Sequence, residues 1–305
     1  MEPPIPVTLI GGYLGAGKTT LVNHLLRERG QRRIAVLVND FGELPIDDAL
    51  IESRDGPLLQ LAGGCVCCSF GSDLMAALQQ ILALQPTPQH ILIETSGVAL
   101  PAAVARMLVL LPGLELDALL VLADAETLRR HAADRYVGEL VREQLQQADL
   151  LLLNKTDLMT EADLSALREW LGSTAPQARV LSCRQARLPP ELLLGIGPVQ
   201  SGSRRGAAVA DAGVLFESLS LEFEHGVDMA ALAALLSAPP LRLLRAKGLM
   251  RDRDGRTRSL QLVGARTTLA PSTHAGPQQG RLVCIALRGE LQAERLRAAL
   301  VACAA

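Results

Sequence analysis

Aromatic residues are scarce in this chain: Phe, Tyr and Trp together make up 2% of its 305 residues. Proteins that bind single-stranded nucleic acid usually stack its bases on aromatic side chains. The formal net charge is -2, so the sequence also lacks the positive field that would hold a phosphate backbone. We therefore expect no nucleic-acid partner, and instead a globular protein whose core consists of Leu, Val, Ile and Ala.

A long uninterrupted hydrophobic run is also lacking. The longest apolar stretch, residues 104–123, is broken by Pro112 and Glu115, whereas a membrane-spanning helix needs about 20 mostly apolar residues. The first six residues contain an acid and three prolines where a secretory signal has basic residues followed by an apolar run. We expect a cytoplasmic protein without a membrane partner.

Lysine and asparagine occur only three times each. Lys18, Lys155 and Asn154 fall in the motifs described below, where a compact ammonium or a side-chain amide is needed. Codon bias would be enough to explain Asn23 and Lys247.

Short apolar runs alternate with helical patterns up to about residue 194. The runs are nearly continuous in Val, Ile and Leu, as in strands that helices cover on both faces. Strands are predicted at residues 7–10, 34–38, 58–61, 91–93, 119–123, 150–153 and 180–181. Helices are predicted at residues 18–29, 73–84, 101–110, 138–147 and 161–171, with Ser72 and Thr160 as N-caps. The alternation predicts an α/β fold with a doubly wound, mainly parallel sheet that binds ligands at the carboxyl ends of its strands.

A change of composition sets off the remainder of the chain. Residues 189–213 are rich in Gly, Ser, Ala and Pro, which is typical of a linker. Beyond it, strands are predicted at residues 218–223, 241–245, 260–263 and 282–287, and helices at 229–236 and 291–301. We expect three parts: an N-terminal domain at residues 1–194, a linker at 195–213 and a smaller C-terminal α+β domain with an antiparallel sheet at 214–305.

A glycine-rich motif follows the first predicted strand. Residues 12–19 fit G-x-x-x-x-G-K-[ST] between a strand and a helix, which is the context of a P-loop NTPase. In such a loop the backbone N–H groups surround the phosphates, the lysine reaches the β- and γ-phosphates, and the hydroxyl binds Mg²⁺. The residues expected to contact the nucleotide here are Gly12, Gly15, Ala16, Gly17, Lys18, Thr19 and Thr20, with Lys18 also catalytic.

The motif Asn-Lys-Thr-Asp ends a later buried strand. The Asp157 carboxylate can accept hydrogen bonds from both N1–H and the amino group of guanine, a donor pair that adenine does not have. Lys155 can lay its stem along the base, and Asn154 can brace the loop. Alone, such a motif is often a turn with an N-cap aspartate, but downstream of a P-loop it favours GTP over ATP.

Two further loops carry acids. Glu94 ends a predicted strand, where it can hold Mg²⁺ or its water, and the amide of Gly97 can sense the γ-phosphate. Asp40 and Glu43 follow another strand, and one of them is expected near the metal or the attacking water. Ordinary turn chemistry would also explain Asp40.

Three cysteines crowd into four positions after two glycines. Cys65, Cys67 and Cys68 can wrap one soft cation, and thiolates favour tetrahedral Zn²⁺. Three protein ligands leave a fourth position open, so the ion can be exchanged. The other cysteines, Cys183, Cys284 and Cys303, fit the role of small core residues better.

Taken in order, the P-loop, Asn-Asp-Phe-Gly-Glu (39–43), Gly-Cys-Val-Cys-Cys (64–68), Glu-Thr-Ser-Gly (94–97) and Asn-Lys-Thr-Asp (154–157) resemble the CobW-like P-loop GTPases. These are relatives of the nickel-insertion GTPases of urease and hydrogenase. The resemblance extends to residues 243–248, 261–264 and 281–283, which look like the C-terminal domain of that family. It implies a GTP-hydrolysing metallochaperone that carries Zn²⁺ or another transition ion to a client metalloprotein, with GTP and GDP states gating delivery.

The sequence departs from that family in two respects. Many members have a histidine-rich stretch near the domain junction, whereas the five histidines of this chain are not clustered. Asp40 and Ser96 stand where the family usually has Glu and Thr, and both changes retain the chemistry with a smaller side chain.

Other readings remain open at this point. One is a small-molecule kinase with a structural zinc site, which the Asn-Lys-Thr-Asp motif disfavours. Another is a non-catalytic zinc protein with a vestigial P-loop, which Lys18, Thr19 and Glu94 disfavour. Since no arginine finger is evident, we expect slow hydrolysis by the chain alone, as a monomer or a homodimer.

Overall fold

The computed structural model describes residues 3–38, 58–60, 70–194, 216–238, 241–272 and 280–304. These residues form two compact units, one ending at Leu194 and the other following it. The expected linker at 195–213 lies outside the described residues.

Seven parallel strands form the sheet of the first unit in the part of the chain that is described. They are β1 (Ile5–Gly11), β2 (Ile34–Val38), β3 (Leu58–Gln60), β4 (His90–Glu94), β5 (Leu114–Asp124), β6 (Leu150–Asn154) and β7 (Arg179–Ser182). Their order is β3-β2-β4-β1-β5-β6-β7, and each adjacent pair is parallel. The carboxyl ends of all seven strands therefore lie along one edge, with β1 at the centre.

Helices connect these strands and cover the sheet. They are α1 (Lys18–Arg27), α2 (Phe70–Leu82), α3 (Pro101–Leu108), α4 (Leu128–Ala133), α5 (Gly138–Gln147), α6 (Glu161–Thr174) and α7 (Pro190–Leu193). Strands β2, β4 and β6 are buried along their whole length, as expected when both faces are covered. The core consists mainly of Leu, Val, Ile and Ala. The predicted doubly wound parallel fold is confirmed.

In the residues that the structure describes, the second unit is an antiparallel sheet with two helices. Its strands are β8 (Phe216–Phe223), β9 (Arg245–Arg251), β10 (Thr257–Val263), β11 (Arg266–Pro271) and β12 (Gly280–Leu287), in the order β11-β10-β9-β12-β8. Helices α8 (Met229–Ser237) and α9 (Ala293–Ala304) contribute apolar residues to the same core as every second residue of β12. The predicted α+β class is confirmed. In neither unit do the described ranges contain a helix of the length and apolarity needed to cross a membrane.

The strand predicted at residues 241–245 is wrong. Leu241, Leu243 and Leu244 are buried, but Arg242 has φ of 46°, which ends any extended run. The strand begins at Arg245 instead and includes the polar Lys247. The three leucines are therefore core residues that do not take part in strand pairing.

The predicted N-caps had different outcomes. Thr160 caps α6, since its Oγ1 accepts a hydrogen bond from the N–H of Asp163 at 3.2 Å. Ser72 is not an N-cap, because α2 begins at Phe70 and Ser72 lies inside its first turn. Small polar residues are common in the first helical turn as well as at the cap, so the pattern alone does not separate the two positions.

Candidate functional site

The P-loop joins the central strand β1 to α1. Gly12, Gly15 and Gly17 have φ of 127°, 74° and 104°, in the left-handed region that glycine adopts without steric cost. A Cβ on Gly12 would lie 2.1 Å from the carbonyl oxygen of Leu122 in β5. The loop therefore requires glycine where it passes against β5.

Helix α1 presents its N terminus to this loop. Gly17 occupies the N-cap position without a side-chain cap, and Lys18 is the first helical residue with 9% of its surface exposed. The first turn contains no acidic residue. Backbone N–H groups and the positive end of the helix dipole meet here, which is the arrangement that binds phosphate.

Thr19 and Glu94 meet at the ends of α1 and β4. The Thr19 Oγ1 hydroxyl donates a hydrogen bond to Glu94 Oε1 at 3.1 Å, and Glu94 is 3% exposed. Strand pairing places Glu94 opposite Ile10, directly before the P-loop. A hydroxyl and a carboxylate are hard oxygen ligands, so this pair fits Mg²⁺.

The loop after β4 lies against the P-loop. A Cβ on Gly97 would be 2.5 Å from Cδ2 and 3.0 Å from the backbone N of Leu14. No side chain would fit between these two backbones, so glycine at this position lets the loop pack directly against the P-loop.

Asn154 connects the P-loop to the loop after β7. Its Nδ2 donates to the carbonyl oxygen of Ala16 at 3.0 Å, and its Oδ1 accepts from the N–H of Ala186 at 2.9 Å. The side chain is 3% exposed, so both hydrogen bonds are shielded from water. The one amide thus fixes two loops that come from distant parts of the chain.

Lys155 is held by an acid that sequence reasoning missed. Its Nζ lies 2.8 Å from Oδ2 of Asp124, the last residue of β5, which pairs with Asn154 of β6. Lys155 has φ of 60°, a left-handed conformation imposed by the turn that follows β6. The ion pair restrains the lysine stem beside the cleft described next. Register across two strand ends creates this contact, and no local sequence motif signals it.

A cleft of about 460 Å³ opens beside these residues. It is lined by Gly15, Gly17, Thr20, His24, Arg27, Asn154, Lys155, Asp157, Leu158, Gln185 and Arg187. The exposed Asp157 therefore shares one cleft with P-loop glycines, at a distance along the chain of well over a hundred residues. Sequence reasoning missed Gln185 and Arg187. Gln185 and Ala186 have positive φ without being glycine, so their unusual turn left no sequence signal.

Cys183 lies in the loop that carries Gln185. It is buried, and burial raises the pKa of its thiol to about 12, so it stays protonated at neutral pH. Cys284 and Cys303 are also free and buried, as expected for core cysteines.

The other candidate residues are Asp40, Glu43, Cys65, Cys67 and Cys68, and they lie outside the described residues. Within the ranges that the structure does describe, no three His, Cys, Asp or Glu side chains are grouped so that they could hold a metal ion.

Two family models match the chain. The model described as the CobW/HypB/UreG nucleotide-binding domain matches residues 6–182, and that of the cobalamin synthesis protein cobW C-terminal domain matches residues 216–304. The first match alone covers more than half of the chain and includes the P-loop, Glu94 and the residues around Asn154.

Individual relatives were also found. The zinc chaperone CobW of Sinorhizobium sp is 30% identical over 225 residues, which cover 63% of this chain and 63% of that protein. The zinc chaperone YjiA of Escherichia coli K12 is 32% identical over 267 residues, which cover 81% of this chain and 82% of that protein. The crystal structure of the Zn(II)-bound YjiA GTPase is 27% identical and covers 99% of both chains with a TM-score of 0.48. The chain thus spans less than two thirds of the CobW relative and most of YjiA.

The predicted resemblance is therefore confirmed at the level of both units: the chain belongs to the CobW/HypB/UreG family and carries the CobW C-terminal domain.

Proposed function

We propose that the chain is a Mg²⁺-dependent GTP hydrolase that carries a transition metal ion, zinc foremost, and transfers it to a client metalloprotein under nucleotide control. The observation that carries this proposal is the single cleft that Asp157 shares with the P-loop, braced by Asn154. A base-reading carboxylate and a phosphate-binding loop in one cleft are what a guanine nucleotide needs.

The phosphate end of the site divides its roles among a few residues. Thr19 and Glu94 would hold Mg²⁺, which would neutralise charge on the β- and γ-phosphate oxygens. Lys18 would contact the same phosphates, and the N–H of Gly97 would contact the γ-phosphate. We propose that Asp40 contributes to Mg²⁺ binding and that Glu43 orients the attacking water.

At the base end, the Asp157 carboxylate would accept hydrogen bonds from guanine N1–H and the amino group. Lys155 would lay its stem along the base, in the position where Asp124 restrains its ammonium group. Adenine presents no matching donor pair, so the site selects GTP.

We propose that Cys65, Cys67 and Cys68 bind the metal ion that the protein transfers. Three thiolates suit Zn²⁺ and leave one coordination position for a ligand from the client. Relatives that bear the name zinc chaperone, CobW of Sinorhizobium sp and YjiA of Escherichia coli, support this choice of ion. In chain order the cysteines lie between residues 39–43 and Glu94, the two segments proposed to meet the γ-phosphate and Mg²⁺.

Zinc affinity in the two nucleotide states tests the proposal. Zn²⁺ is titrated, against a chelator of known affinity, into protein loaded with GDP and into protein loaded with a non-hydrolysable GTP analogue. Linkage requires that zinc and nucleotide change each other's affinity by the same factor, typically about 5–150-fold. We expect two different zinc dissociation constants.

The same titration with C65S/C67S/C68S protein is the matched control and should show no tight zinc site. Equal dissociation constants in the two nucleotide states would contradict gating and leave a static zinc site on a GTPase. Tighter binding of ATP than of GTP would instead favour a kinase.

A further inference from the structure

Helix α5 carries a buried glutamine that is hydrogen bonded to the loop after β4. The Gln144 side chain is 1% exposed. Its Nε2 donates to the carbonyl oxygens of Gly97 at 3.1 Å and Ala99 at 2.8 Å. Both N–H groups of the side-chain amide therefore donate hydrogen bonds to the backbone of one short segment.

A second glutamine of α5 holds the other end of this segment. Gln147 lies three residues after Gln144, on the same face of the helix. Its Oε1 accepts a hydrogen bond from the N–H of Ala102 at 2.9 Å, in the first turn of α3. We call residues 97–102 the Gly97 segment, and its backbone is tied to α5 at three points.

The Gly97 segment also lies against the P-loop. Gly97 is so close to Leu14 that a Cβ would be 3.0 Å from the Leu14 backbone N. The segment is thus hydrogen bonded to α5 and also packed against the P-loop. Breaking the bonds to Gln144 would leave two carbonyl oxygens to find new partners, which favours movement of the segment away from the P-loop.

We propose that Gln144 is a positioning residue: it fixes the Gly97 segment against the P-loop and thereby sets how strongly the site prefers a nucleoside triphosphate over the diphosphate. The inference rests on the proposed function, because the N–H of Gly97 is assigned to the γ-phosphate there. Gln144 itself is not among the residues that line the cleft. By ordering the segment in advance, Gln144 lowers the entropy cost of ordering it when a γ-phosphate binds. Binding of the diphosphate does not require the segment to be ordered.

The test uses Gln144→Leu, which keeps the side-chain size and removes both donors. Gln146→Leu is the matched control, since it removes the same amide from the same helix but from an exposed contact with Thr174. Calorimetry with Mg²⁺ measures the affinity for GDP and for a non-hydrolysable GTP analogue. Hydrogen exchange of the nucleotide-free protein measures protection of the Gly97 segment.

For Gln144→Leu we expect affinity for the GTP analogue to fall by about 5- to 20-fold, affinity for GDP to stay within about twofold, and exchange in the Gly97 segment to rise. Gln146→Leu should change none of the three. If Gln144→Leu does not fold, Gln147→Leu serves instead, with a smaller change in the same direction.

Equal losses of GDP and GTP-analogue affinity, or an unchanged ratio with a lower melting temperature, would overturn the inference and leave Gln144 a structural residue. Unchanged exchange in the Gly97 segment would also overturn it. The exchange measurement needs no nucleotide, so it tests the inference independently of the proposed function. Failure of the proposed function would show instead as a wild-type protein that does not prefer guanine nucleotides or whose zinc affinity does not depend on the nucleotide.

Discussion

Asn154 donates a hydrogen bond from Nδ2 to the carbonyl oxygen of Ala16, at 3.0 Å, across 138 positions of the chain. Ala16 lies in the P-loop that follows β1, and Asn154 is the last residue of β6. Strand β5 lies between β1 and β6, so the bond connects two elements that are not neighbours in the sheet. The same amide accepts from Ala186. The conformation of the P-loop and that of the loop after β7, which lines the cleft, are therefore coupled through one side chain.

The substitution Asn154→Ala should lower both stability and nucleotide affinity. It leaves the buried Ala16 carbonyl and Ala186 N–H without this partner. Each loss should lower the free energy of unfolding by no more than about 1–3 kcal/mol. Denaturant unfolding of the free protein and calorimetry with GDP would measure the two effects. A variant that unfolds earlier but binds GDP as wild type does would show that the amide supports the fold alone.

Asp157→Ala should remove the preference for guanine. We expect about 1–3 kcal/mol weaker binding of GDP, roughly 5- to 150-fold, because two base donors lose their acceptor. Affinity for ADP should hardly change. Glu161→Ala is the control, since it removes a nearby exposed acid that pairs with Arg168. Loss of GDP affinity in the control as well would point to general charge effects.

Gly12→Ala should destabilise the fold strongly, whereas Gly172→Ala should not. The first places a methyl group against the Leu122 carbonyl in a left-handed backbone, while the second adds one in open space within α6. We expect a loss of about 1–3 kcal/mol for the strained site and a gain of about 0.5–1 kcal/mol for the helical one. Urea unfolding of both variants measures the difference. Equal stabilities would mean that the P-loop relaxes freely.

Serine at Cys67 or Cys68 should abolish tight zinc binding and leave the fold intact. We expect one Zn²⁺ per wild-type chain, with affinity falling at acid pH because thiolate ligands must take up protons there. Metal analysis after gel filtration measures the stoichiometry. Cys284→Ala is the control, because that thiol is buried in the core of the second unit. An unchanged zinc content in the triple serine variant would exclude the cluster.

Alkaline pH should destabilise the first unit partly through Cys183. Burial disfavours the thiolate and raises the pKa of this thiol from its ordinary value of 9.0 to about 12 in the folded chain. Between these values the folded state keeps a proton that the unfolded state loses, so stability falls as pH rises, by at most about 1.4 kcal/mol per pH unit. Unfolding free energies from about pH 8 to about pH 10 should fall less steeply for Cys183→Ala than for wild type. Parallel slopes would contradict the assignment.

The parallel sheet was predictable because its strands are short Val, Ile and Leu runs, buried on both faces. Prediction was weaker where the pattern is mixed. The first half of β5 contains Glu115 and Asp117, so only its apolar second half was predicted. The six-residue α4 is too short to show a helical period. The edge strand β11 consists largely of half-buried or exposed residues without a run of apolar ones.

For the site, local motifs identified the P-loop, Glu94 and residues 154–157. The contacts of Asp124, Gln144 and Ala186 depend instead on strand order and register. Each joins residues separated by 30 to 50 positions, and neither a motif nor a period marks them. The glutamine at 144 in particular resembles any polar residue on a helix until its buried position is seen.

The burial of Cys183, Cys284 and Cys303 also has a practical consequence for chemical labelling. Burial raises the pKa of all three thiols, and for Cys183 and Cys284 it reaches about 12. A maleimide reacts with thiolate, so the native chain should keep these three unmodified at neutral pH. The number of labels taken up then counts only the remaining cysteines, Cys65, Cys67 and Cys68. Under the proposed zinc site, label uptake by the wild-type protein should therefore report metal occupancy, without any engineered cysteine-free background.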